Sequence, residues 1–242
     1  MNIKKITYSP RIAILVLALS IILSSNILVK NARAEAPNTL VTDATCTLKQ
    51  LMTIPDRRIP DQLLASCRGL AIFPHVYQAG FLVGGGYGEG ILVVKDPSTN
   101  RWKGPVFLKM AMGSFGWQIG IKSTNLVLVI MNQQGITSFL QNNFTLGADL
   151  SVAAGPVGRN LSASTDILLR ASIYSYSRSK GFFAGAYIQG AALGQDYSAD
   201  KIYYGHEVNP RTIILKHGPT PPRSGQMLLL YLDSHVNHMP SI

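Results

Sequence analysis

The sequence predicts an α+β fold: a single β-rich domain, antiparallel and barrel- or sandwich-like, with N-terminal and C-terminal helices. Three observations point there. Residues 38–52 place Leu40, Val41, Ala44, Leu48, Leu51 and Met52 at helical spacing, with Asn38 as an expected N-cap. Residues 226–239 do the same with Leu228, Tyr231, Leu232, His235 and Met239. Between them, short apolar runs alternate with glycines and turn residues, which is the texture of strands.

In chain order, residues 54–60 read as a loop bounded by Pro55 and Pro60, and Pro60 suits the first position of a short helix to Ser66. Residues 70–73, 81–83 and 91–95 read as strands, with Pro97 and Asn100 marking a turn before Trp102. Residues 106–112, 117–121 and 126–131 follow at hairpin-like spacing, and 133–142 as a short helix. Residues 145–153 alternate apolar and polar, and 167–178 and 182–193 read as a strand pair. A helical turn at 198–204 and a last strand at 212–215 precede the stiff break of Pro219, Pro221 and Pro222.

Gly84, Gly86, Gly88 and Gly90 would share one face of a strand and leave it bare. Such a face admits another backbone or an aromatic ring, or allows a sharp bend. A phosphate-cradling loop is the other reading, but the spacing matches neither GxGxxG nor a Walker pattern.

The first 34 residues read as a secretory signal peptide. Lys4, Lys5 and Arg11 precede the apolar stretch 12–23, and Ala32-Arg33-Ala34 forms a small-x-small cleavage site. Polar Ser24, Ser25 and Asn26 interrupt the stretch before it reaches the ~20 residues of a membrane span. Residues 35–218 are then the folded domain, and 219–242 the proline-rich break and terminal helix. An exported protein, periplasmic or secreted and in some membrane association, is expected. The whole chain has 22 basic and 12 acidic residues. Five of the basic ones lie in the leader with no acid, so the surplus falls from 10 to 5. That balance favours anionic partners in general. No Lys/Arg-rich run points to nucleic acid, and none is expected across an export barrier.

Export also permits a Cys46–Cys67 disulfide, closing a loop of about twenty residues worth ~3 kcal/mol. Two unpaired cysteines are the equal alternative, since Cys46 falls opposite the apolar face of its helix.

Little in the sequence suggests catalysis. Ser114 lies in GSFG, not in a GxSxG elbow. His235 and His238 have i, i+3 spacing but no third metal ligand in view. Asp149 and Asp166 are the best carboxylate pair, yet Arg159 and Arg170 lie close by, and a structural ion pair or turn is the commoner outcome. Neither a cofactor nor an enzyme activity is expected.

Several blocks carry a resemblance: IPDQLLASCRGLAIFPHVYQAGFLVGGGYGEGILVVKD, RWKGPVFLKMAMGSFGWQIGIKSTNLVLVIMN, FTLGADLSVAAGPVGR, IYSYSRSKGFFAG and YYG. In this order, over about residues 38–205, they resemble the SYLF domain family of lipid-binding proteins. The resemblance implies a β-rich α+β domain without known catalytic activity. Eukaryotic members bind phosphoinositide membranes, partly through an N-terminal amphipathic helix. Some bind actin filaments, and many carry a Src-homology or FYVE module. The leader here suggests an exported bacterial branch, for which actin is not an expected partner.

Lys49, Arg57, Arg58 and Arg68, in and after the first helix, match the family's membrane-contact region most closely. A helix merely packed on the domain is the competing reading, because Thr39, Thr42, Asp43 and Thr45 leave its polar face nearly uncharged. In Gly155-Pro156-Val157-Gly158-Arg159, backbone N–H groups and the Arg159 fork could meet a headgroup phosphate; a plain glycine turn is the alternative. Arg170, Tyr174, Tyr176 and Arg178 fall on one face of the 167–178 strand. They suit either a membrane interface or a solvated cross-strand ladder.

The leading expectation is a non-enzymatic domain that contacts anionic phospholipid at the bacterial cell envelope. A scaffold that binds another protein or itself is the second. An outer-membrane barrel is disfavoured, because it needs alternating strands of roughly 9–11 residues whereas 126–131 is apolar throughout.

Overall fold

The structure, a computed structural model, describes residues 36–53, 58–141, 143–156, 171–177, 188–216 and 218–236, with the backbone alone at 80–83 and 114–122. The signal-peptide reading and the calls on Arg57, Arg159, Asp166, Arg170, Arg178, residues 182–187, His238 and Met239 lie outside these residues.

Residues 36–236 open with helix α1 (Pro37–Thr53) and the short α2 (Asp61–Ser66). Strands β1 (Gly69–Lys95) and β2 (Trp102–Ile130) follow, then α3 (Gln133–Phe139), β3 (Asn143–Thr145), β4 (Val152–Ala154), β5 (Ile173–Ser177) and β6 (Ala192–Gln195). The chain closes with α4 (Tyr197–Tyr204), α5 (Pro210–Leu215) and α6 (Arg223–Val236). The strands form one mixed sheet in the order β3-β6-β2-β5-β4, with β1 antiparallel to β2 along its length and β4 parallel to β5.

Six short strands expected between 70 and 131 are in fact two long ones. Their glycines do not end the ladder but let it bend. A Cβ on Gly90 would lie 2.5 Å from the Phe73 ring and 2.6 Å from the Ile72 carbonyl, and one on Gly86 3.1 Å from the Tyr77 carbonyl. The bare face is therefore occupied by the first half of the same strand, as the close-approach reading requires.

At the turn between β1 and β2, Asn100 takes a positive φ of 57°. Asp96 accepts from the Ser98 amide at 2.8 Å and holds the Lys103 ammonium at 2.5 Å. These contacts, led by Lys103, keep the Asp96 carboxyl well below the usual range.

The sheet separates two cores. On one face Ala71, Phe73, Leu92, Leu108, Leu128 and Ile173 pack with Ile136 and Phe139 of α3 and Ile213 and Ile214 of α5. On the other, Leu70, Ile72, Ile91, Phe107, Val127 and Val129 are covered by α1, α2, α4 and α6. Both faces of the sheet are thus buried at 70–73, 91–94, 106–108, 126–130 and 173–176, which is why 126–131 reads as continuously apolar.

Four expectations are corrected here. Asn38 lies in the first turn of α1 and not at its cap; Pro37 starts the helix, and the Asn38 side chain accepts from Ser224 of α6 at 2.9 Å. Residues 145–153 are not one strand: β3 ends at Thr145, β4 begins at Val152, and 146–151 turn between them, with Asp149 accepting from the Thr145 amide at 2.6 Å. Residues 212–215 are helical, because Asn209 caps α5 through the Arg211 amide and Pro210 pre-sets the first turn. Tyr174 and Tyr176 do not face outward: they are 0% and 3% exposed, packed in the helix-covered core.

Candidate functional site

A polar groove among the described residues is built by a β-bulge. Phe73 pairs with Leu126 and Val76 with Thr124, so Pro74 and His75 together oppose the single Asn125. Proline has no N–H for the ladder, and a bulge re-aims the side chain beside it. His75 is turned toward α1, whose Asp43, Cys46, Thr47 and Gln50 follow i, i+3, i+4, i+7 spacing on one side of the helix. With Pro74, Ser123, Thr124 and Asn125 they line a groove of about 500 Å3.

His75 Nε2 lies 3.6 Å from Asp43 Oδ2, and the imidazole stacks on Tyr77 at a 6.0 Å ring separation. Tyr77 pairs across the ladder with Ser123 and is half-exposed at the rim. In so open a setting the contact adds little stability. Sequence reading missed this groove, because the bulge that aims His75 is a property of the pairing register. The residue-level signal was the polar i, i+3, i+4, i+7 series on α1.

The predicted cations are not gathered into one constellation. Lys49 is exposed on α1, its ammonium 4.8 Å from the centre of the Tyr231 ring. Arg58 pairs with Asp61, and exposed Arg68 has no ion pair among the described residues. Tyr176 supports the chain after β4 from inside: its hydroxyl donates to the Pro156 carbonyl at 3.1 Å, and its ring fills the space a Cβ on Gly155 would need. Burial pushes the Tyr176 phenol up, and the neighbouring Tyr174 adds to it.

The two cysteines are free. Cys46 is exposed in the groove, while Cys67 is buried among Leu63, Leu64 and Leu70 and donates to the Leu64 carbonyl at 3.2 Å. The expected alternative of a disulfide is therefore corrected: one thiol faces solvent and the other the core. Burial pushes the Cys67 thiol up to about 12, although the Lys95 charge pulls the other way. His235 stacks on Tyr231 at 4.3 Å, and no cluster of three metal-ligating side chains occurs among the described residues.

All nine described carboxylates are engaged within the fold. Asp43, Asp61, Asp96, Asp196, Glu207 and Asp233 face His75, Arg58, Lys103, Lys109, Lys201 and Arg101. Glu89 accepts from Tyr87, Asp149 from the Thr145 amide and Asp200 from the Phe107 amide. Asp200 is fully buried and its second oxygen has no partner. Burial pushes its carboxyl up to about 7; the Phe107 N–H opposes this and the Asp196 charge adds to it. By contrast, Lys49, Arg68, Arg211, Lys216 and Arg223 make no ion pair among the described residues.

Comparison with known proteins agrees with the resemblance carried by the sequence blocks. The Ysc84 family profile, described as "Las17-binding protein actin regulator", matches residues 111–235. The human SH3 domain-containing YSC84-like protein 1 is 34% identical over 182 residues, covering 74% of this chain and 52% of that protein. Its Xenopus laevis counterpart is 35% identical over 166 residues, 66% of this chain and 49% of the relative. LAS seventeen-binding protein 3 of Saccharomyces cerevisiae is 33% identical over 190 residues, 77% and 41%. The chain thus spans about half the length, or less, of the curated relatives it matches. The similarity runs through β2, the bent sheet it anchors and the helices that follow, and on that basis the chain belongs to the Ysc84 family of SYLF-domain proteins.

Proposed function

We propose that this chain is a non-enzymatic, exported domain of the bacterial cell envelope that contacts anionic lipid headgroups. The observation that carries the reading is the charge economy of the fold. Every described carboxylate is spent on an internal contact, whereas five exposed cations have no acidic partner among the described residues. Acids so committed hold turns, caps and strand ends, and leave no described pair poised for acid–base work. Cations so uncommitted attract phosphate, each worth ~1 kcal/mol beside an anionic surface.

The test is flotation of the purified protein with vesicles of phosphatidylglycerol or phosphatidylcholine. Flotation with phosphatidylglycerol alone, lost as salt is raised from about 0.05 to 0.5 M and the screening length shrinks, is expected. No flotation at low salt, or equal flotation with both lipids, refutes the reading.

A second reading, a scaffold that binds another protein or itself, is favoured by the family description as a Las17-binding actin regulator. Export argues against actin itself as the partner. This reading expects oligomers or a protein complex that resist salt and show no lipid preference.

A further inference from the structure

The groove at the bulge has a chemistry opposite to the cationic surface. Among the described residues its lining holds no lysine or arginine and one carboxylate, Asp43. A phosphate would meet that negative charge with only His75 to offset it. A metal ion would find too few ligands, since no cluster of three exists among the described residues. An apolar ligand would cover the exposed Ser123 hydroxyl, the Asp43 carboxylate and the His75 imidazole and take them out of water.

What this lining can satisfy is a ligand rich in uncharged hydroxyls. Amide, hydroxyl, imidazole and carboxylate groups converge from α1 on one wall and from the bulge on the other, and both donate and accept. At the rim, Tyr77 is 52% exposed, and stacking against His75 steadies its ring. An exposed, oriented aromatic face is a platform for the C–H face of a sugar ring. The volume of about 500 Å3 falls in the range of roughly 300–1,000 Å3 usual for small-ligand sites. We propose that this groove is a saccharide-binding site, formed by α1, the Pro74-His75 bulge and the Tyr77 ring, and distinct from the lipid-contacting surface.

Cys46 provides a reporter built into the wall. It is exposed, whereas Cys67 is buried with a thiol pushed up to about 12, so a thiol reagent at neutral pH reads Cys46 alone. The experiment follows the rate of iodoacetamide labelling of the purified protein with the β-1,4 trimer of N-acetylglucosamine, cellotriose or maltotriose, each at about 10 mM. Inorganic phosphate serves as the comparison. A sugar held with a dissociation constant near 1 mM slows labelling about tenfold. Tyr77→Ala and, separately, Asp43→Asn should return the rate to its sugar-free value. Both side chains are half-exposed, so circular dichroism and thermal melting should stay as in the parent. The proposal is overturned if none of the three sugars slows labelling, if phosphate slows it equally, or if protection survives in both variants.

Discussion

Replacing Asp200 with asparagine should change how stability depends on pH. In the parent, one carboxyl oxygen accepts from the Phe107 amide at 3.0 Å and the other is buried without a partner. Burial, opposed by that N–H and reinforced by Asp196, pushes the group up to about 7, against ~3.9 in an unfolded chain. The sign follows directly. Between about pH 4 and 7 the unfolded chain releases the proton and the folded chain keeps it, so unfolding gains as pH rises. The contribution is fully present below about pH 4 and is lost progressively up to about 7. Three pH units at ~1.4 kcal/mol each amount to roughly 4 kcal/mol. Asp96, held low by Lys103 and Ser98, stays ionised across this window and adds no slope of its own. Asp200→Asn keeps an acceptor for Phe107 but does not ionise. Urea unfolding at pH 4.5 and 8, followed by tryptophan fluorescence, should show the parent losing stability across the interval and the variant losing much less. By pH 8 the variant should be the more stable of the two. Equal pH dependence in both proteins would refute the reasoning.

Three further outcomes are expected. Gly90→Ala should cost about 1–3 kcal/mol, because its Cβ meets the Phe73 ring and the Ile72 carbonyl below 3 Å, while Gly113→Ala, with open space at that position, should leave Tm nearly unchanged. Tyr174→Ala and Tyr176→Ala should each cost about 3–5 kcal/mol in denaturant unfolding, as large core truncations do, whereas membrane-facing tyrosines would leave stability untouched. Non-reducing mass spectrometry after alkylation under native conditions should show one label, on Cys46, and Cys46→Ser should abolish it; a mass two protons lighter with no label would restore the disulfide.

The residue pattern was most legible where one periodicity acts alone. The apolar stripe of α1 follows from local spacing and the structure keeps it; in α6 Leu228 and Leu232 are buried as expected, but His235 is exposed and Val236 takes the inward position. It was least legible where a strand is covered on both faces. Alternation along β5 put Tyr174 and Tyr176 on the face opposite Ile173, and that face looked wet because Arg170 and Arg178 share it in the sequence. In the fold it is covered by helices whose docking no local pattern reveals. Glycines ordinarily punctuate strands, so 81–83 and 91–95 read as separate strands, although the bare face of Gly86, Gly88 and Gly90 is where one continuous strand is closely approached by its own first half. Two β-branched isoleucines drew residues 212–215 toward a strand, while the Asn209-Pro210 start signal beside them decided for a helix. The groove combines α1 with a bulge set by register, so only its α1 half could be seen in advance.

The pairing of α1 with α6 has a consequence for synthesis. Asn38 meets Ser224 and Met52 meets Tyr231, contacts 186 and 179 residues apart in the chain. The β1–β2 turn can begin its ladder from neighbours a few residues apart, whereas α1 must wait for α6 before its cover is complete. A chain emerging from its N-terminus therefore carries the apolar stripe of α1 only partly covered until residue 236 has been released. Late closure of this contact makes completion of the fold a marker that residues 36–236 have all been made.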